Sequence, residues 1–90
     1  METDNLRSQP IKTAADLGAA VRRLRKAGKL TQDTVASLSG LSTGFLSDFE
    51  NGKPTAEIGK VLQVLRTLGV DLRLERRTID TGSREGKRST

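Results

Sequence analysis

Ninety residues suffice for one small domain with a single core. The absence of Cys and His removes thiolate nucleophiles, imidazole acid–base chemistry, disulfides and the usual zinc sites, and no apolar run approaches the ~20 residues of a membrane span. Sixteen Lys+Arg against 11 Asp+Glu leave a net charge of +5, which favours an anionic partner.

Residues 1–12 are polar and aperiodic and read as a flexible N-terminal arm. With no apolar signal core in it, a cytoplasmic protein is expected. Thr13 then caps a first helix, with Asp16 three residues on as in a capping box. Leu17, Ala20, Val21 and Leu24 repeat at i, i+3, i+4, i+7, one apolar stripe of a helix that stops at Gly28.

The next stretch, residues 30–52, is the most informative. Helix two spans roughly Gln32 to Ser39 and helix three roughly Thr43 to Asn51, with Thr31 and Ser42 as N-caps and a tight turn at Gly40. Counted from Gln32, the apolar residues Val35, Leu41, Leu46 and Phe49 are fourth, tenth, fifteenth and eighteenth. The small Ala36 is fifth and Gly40 ninth. This is the steric pattern of two steeply crossed helices that present the second to a DNA major groove. An ordinary αα-corner without a DNA role is the plainer alternative.

Pro54 and Thr55 open a fourth helix, striped by Ile58, Val61, Leu62, Leu65 and Leu68 and ended by Gly69. Glycines thus stand just past all four predicted helices, at 28, 40, 52 and 69. The domain is assigned to residues 13–69.

Over residues 70–76 the period changes to two. Val70, Leu72 and Leu74 alternate with Asp71, Arg73 and Glu75, as in a strand with one buried face. No other segment reads as a strand, and a lone strand needs a partner. Pairing with the same segment of a second copy gives an antiparallel lid across a homodimer; a fifth short helix or a frayed edge are the other readings. Dimerisation also suits a core this small and poor in aromatics. Residues 77–90, almost free of apolar side chains, read as a disordered basic tail.

Leu30-Thr31-Gln32, Gly40-Leu41-Ser42 and above all Phe49-Glu50-Asn51-Gly52 resemble the Xre-type helix-turn-helix family of the phage lambda and 434 repressors. The appended strand narrows the resemblance to HipB-type antitoxins. It implies a mainly α, lambda-repressor-like four-helix domain whose C-terminal strand pairs across a homodimer. It implies a sequence-specific repressor of a double-stranded DNA operator, with a HipA-like kinase toxin as a possible partner and no cofactor or metal. A stand-alone Xre-type regulator, or an interaction module that binds no DNA, remain as alternatives. An enzyme has little behind it: Asp33, Asp48 and Glu50 are scattered, with no nucleophile nearby.

Helix three enters a groove N-terminus first, so Ser42, Thr43, Gly44, Ser47 and Asp48 are the candidate base contacts. The family pattern picks out the places of Thr43, Gly44 and Asp48. Two of these are unusual, since Gly44 has no side chain and Asp48 repels phosphate while able to accept from cytosine N4. Phe45, on the partly exposed side, is expected to pack rather than touch a thymine methyl. Thr31, Gln32, Asn51, Lys53, Arg22 and Arg23 are the candidate phosphate contacts, with Lys26 and Lys29 extending the basic rim. The resemblance also implies a structural ion pair between Arg25 and Glu50.

Overall fold

A computed structural model describes residues 10–77 of the chain. Four helices follow one another: α1 (Ala14–Ala27), α2 (Gln32–Ser39), α3 (Thr43–Glu50) and α4 (Ile58–Leu68). The arm up to residue 9 and the tail from residue 78 onward lie outside the described residues. Among the described residues no helix is long and apolar enough to cross a membrane.

Each of the first three helices begins with a side-chain cap. Thr13 accepts from the Asp16 N–H at 3.0 Å, and the Asp16 carboxylate accepts in return from the N–H groups of Thr13 and Lys12. Thr31 takes the Thr34 N–H and Ser42 the Phe45 N–H. Such caps satisfy donors that the helix cannot, and each contributes about 1 kcal/mol. Gly40 ends α2 at φ 73°, a left-handed turn that lets the Leu41 N–H reach Ala36 O at 2.9 Å.

The core is formed by Val21, Val35, Ala36, Leu46, Phe49, Val61, Val64 and Leu65, with Leu17, Leu30, Leu41, Phe45, Ala56, Leu68 and Val70 packed around it. Val35, Ala36, Leu46 and Phe49 are thus fully enclosed where α2 and α3 cross. Burying each of the larger side chains contributes on the order of 1.5–3 kcal/mol. Ser39 and Thr67 share a hydrogen bond of 2.7 Å that ties α2 to α4.

Three expectations are corrected. The inner face of α1 centres on Gly18, Val21 and Arg25, with Leu17 and Leu24 only half-buried at its flanks. Gly18 sits so near the Phe49 carbonyl that a Cβ would overlap it. The fourth helix starts at Ile58, not Pro54: residues 54–55 form a turn, Ala56 is half-buried against the core, and no side chain caps the helix. With Ala56 held against the core, only Glu57, the N-cap in an extended conformation, separates it from the first residue of the helix. The buried stripe of α4 is Val61, Val64 and Leu65, while Ile58 and Leu62 are 60% and 40% exposed. The first helix does stop at Gly28, its C-cap at φ −85°, and the left-handed residue that follows is Lys29, at φ 59°.

Beyond Gly69 the described chain has no regular secondary structure. Val70 packs on the core, but Leu72 and Leu74 are exposed, Leu74 almost completely at 98%. A strand is defined by its hydrogen-bonded partner, and residues 71–77 have none among the described residues.

Candidate nucleic-acid interface

The outward face of α3 follows from its inward one. Leu46, Phe49 and Glu50 are buried, so the helical period turns Thr43, Gly44 and Asp48 to the surface, with Ser47 at the margin. Ser42 is exposed at the cap. A Cβ on Gly44 would have only the Ser42 hydroxyl within 4 Å, at 3.9 Å, so the surface there is open. Four of the five candidate base-contacting positions are thus exposed on α3 and its cap, with Ser47 half-buried beside them.

Phe45 is half-buried. Its ring lies 6.2 Å from that of Phe49, nearly parallel, and Lys60 Nζ stands 5.6 Å above it. Those contacts hold it as part of the core's edge.

Behind this face lies a charged cluster that joins three helices. Arg25 of α1 donates from Nε to Glu50 Oε2 at 2.7 Å and from its second guanidinium nitrogen to Oε1 at 2.9 Å. Its remaining nitrogen donates to Leu30 O at 2.8 Å. Gln32, the first residue of α2, donates from Nε2 to Glu50 Oε1 at 3.0 Å. Burial opposes ionisation of Glu50. The hydrogen bonds from Arg25 and Gln32 and the charges of Arg25 and Arg22 outweigh it, so the carboxyl is held below its usual range. The same bonds raise Arg25, against its own burial. This is a bidentate pair with all three guanidinium nitrogens hydrogen-bonded, which fixes the approach of α3 to α1.

The candidate phosphate contacts are spread around the rim. Thr31, Asn51, Lys53, Arg22 and Arg23 are exposed, and Gln32 is half-buried by its bond to Glu50. Asn51 donates from its side chain to Ser47 O at 2.9 Å, and Lys53 Nζ lies 3.9 Å from the Asp48 carboxylate. The Thr31 hydroxyl also donates to that of Thr34.

One contact on this surface has no counterpart in the sequence reading. Thr43 Oγ1, at the start of α3, donates to Asp33 Oδ1 of α2 at 2.6 Å. A sequence spacing of ten residues carries no sign of it; only the crossing of the two helices does.

With the caps, the glycine turn and the exposed second helix in place, the decisive match is to the family model described as a helix-turn-helix domain, over residues 16–78. The chain belongs to the helix-turn-helix family, in its Xre-like branch. It is 56% identical over 62 residues to the uncharacterised HTH-type transcriptional regulator y4mF of Sinorhizobium fredii, covering 69% of this chain and 82% of that protein. Its fold is similar to that of HipB in a HipB-O4 20mer complex, with a TM-score of 0.74, 23% identity and coverage of 78% of this chain and 99% of HipB. A HipA-HipB-O2-O3 complex gives the same values. The restriction-modification controller protein C.AhdI of Aeromonas hydrophila is similar at a TM-score of 0.60 and 29% identity, over 64% of this chain and 88% of that one. Helix-turn-helix regulators of this kind are generally not enzymes.

Proposed function

We propose that this chain is a homodimeric, sequence-specific repressor that docks α3 in the major groove of a palindromic operator, and that it serves as the antitoxin of a HipA-like kinase toxin. The observation that carries the DNA reading is the end of α3: Ser42, Thr43, Gly44 and Asp48 are exposed together and Ser47 lies at their margin, on a domain whose Arg22, Arg23, Lys26 and Lys53 are also exposed. Base contacts are assigned to those α3 residues. Phosphate contacts are assigned to Thr31, Gln32, Asn51, Lys53, Arg22 and Arg23. The two half-sites would lie about one helical turn apart.

The dimer reading rests on Leu72 and Leu74, leucines left in water at the end of the described chain. Their strand-like alternation suits pairing with the same segment of a second copy. The antitoxin reading rests on that segment together with the likeness in fold to HipB, which occurs with HipA in a solved complex. A cytoplasmic location fits such a regulator.

The test is an electrophoretic shift of the full chain on the DNA upstream of its own gene. Ser47→Arg and Thr43→Ala should both weaken binding, and raising the salt should weaken it steeply, as counterions are released from several phosphates. Unchanged binding in both variants overturns the assignment of α3. Co-purification with the product of an adjacent kinase-like gene tests the antitoxin role. The two carboxylates on the outward surface, Asp33 and Asp48, favour a second reading, a module that binds only protein. A partner captured by a chain without duplex affinity at low salt would establish that one.

A further inference from the structure

We infer that Asp33, on the helix that does not enter the groove, sets which base Thr43 accepts. This rests on the DNA-binding reading above.

An ionised carboxylate can only accept hydrogen bonds, so the 2.6 Å contact between Thr43 Oγ1 and Asp33 Oδ1 uses the single hydrogen of the Thr43 hydroxyl. A free threonine hydroxyl is ambivalent. It donates to guanine O6 or N7 or thymine O4, and it accepts from adenine N6 or cytosine N4. With its proton committed to Asp33, only lone pairs and a methyl group remain for the groove.

Those lone pairs fit the exocyclic amino group of adenine or cytosine and oppose the acceptors of guanine. The Asp33 carboxylate has no ion-pair partner among the described residues. Nearby chemistry reinforces the bias. Asp48 is another acceptor, its lysine neighbour stands as far off as 3.9 Å, and no Lys or Arg occurs between Ser42 and Asn51 to address guanine. Asp33 is thus a positioning residue: it orients the Thr43 hydroxyl and need not touch the duplex.

The experiment selects bound duplexes from a randomised library, using the full chain, its Asp33→Ala and Asp33→Asn variants, and Thr43→Val. The wild type should enrich a motif with one position per half-site at which adenine or cytosine exceeds guanine by roughly 5- to 10-fold or more. Asp33→Ala should erase that preference at the one position, admitting guanine, and leave the rest of the motif intact; Asp33→Asn, whose amide oxygen still accepts the Thr43 proton, should retain more of it than Asp33→Ala. Thr43→Val, of equal size but without the hydroxyl, should level amino and keto bases there. Circular dichroism of each variant checks that the helices persist. An Asp33→Ala motif identical to the wild type at every position overturns the inference, even if affinity rises everywhere, since that is simple relief of charge repulsion. A wild type that enriches no motif overturns the DNA-binding reading as well, so the two failures are distinct.

Discussion

Gly18 of α1 rests directly on the carbonyl oxygen of Phe49 in α3, closer than any side chain would allow. A glycine inside a helix costs about 1 kcal/mol relative to alanine. Here that cost permits α1 to approach the backbone of the helix that carries the candidate interface. Gly18→Ala should therefore destabilise the fold by about 1–3 kcal/mol through overpacking. Gly59, inside α4, has nothing within 4 Å of its Cβ direction, and Gly59→Ala should stabilise by about 0.5–1 kcal/mol. Urea denaturation of the two variants gives opposite signs if the close approach is real.

The ion pair behind α3 predicts a non-additive pattern. Arg25→Met or Glu50→Leu alone leaves a buried charge without its partner and should cost about 3–5 kcal/mol. The double variant should lose distinctly less than the sum, though not nothing, because Leu30 O and Gln32 Nε2 lose a partner too. A double-mutant cycle by chemical denaturation reads the coupling; simple additivity would mean that the pair does not hold the helices.

Glu50 also gives the fold an acid-sensitive component. Its carboxyl titrates lower in the folded chain than the ordinary value of 4.5, so between the two values the unfolded state binds more protons. The resulting stability is complete above the ordinary value and is lost as pH falls through the folded one. Asp16, lowered chiefly by the Lys12 N–H and opposed by slight desolvation, acts in the same direction. The thermal midpoint should hold steady down to about pH 5 and then fall. In Glu50→Gln the fall should be shallower, starting from a lower midpoint.

If residues 70–76 join two copies, polar replacement there should separate them without unfolding either. Leu72→Lys together with Leu74→Lys should sediment at the 9.7 kDa of one chain, with helical content by circular dichroism unchanged, since Leu74 is 98% exposed within a single copy. The unaltered chain should sediment at twice that mass. A wild type that stays single at every accessible concentration rules out the shared strand.

Local signals made most of this fold readable from the chain. Thr13, Thr31 and Ser42 announced three helix starts, and Gly40 and Gly69 two ends, because capping and left-handed turns depend on nearest neighbours. The crossing of α2 and α3 followed from small and apolar residues at fixed spacings. What depended on distant contacts was harder to see. Gly18 carried a signal, a glycine in mid-helix, but its partner lies about thirty residues on. The start of α4 was misplaced because Pro54 and Thr55 suit a helix start by propensity, while the packing of Ala56 decides otherwise. The surface stripe of Ile58 and Leu62 shares its period with the buried one, and periodicity alone does not say which side faces the core. The exposed end of α3 was legible in outline, but the bond from Thr43 to Asp33 was not.

Lys29 holds a left-handed backbone between α1 and α2, a conformation that costs a residue with a side chain roughly 1–2 kcal/mol. Glycine would sit there without strain, yet it would strip one cation from the surface beside the first turn of α2. Durability and attraction to polyanions thus pull against each other at a single turn, and a version of this protein engineered for heat tolerance there would be a weaker magnet for anything carrying phosphate.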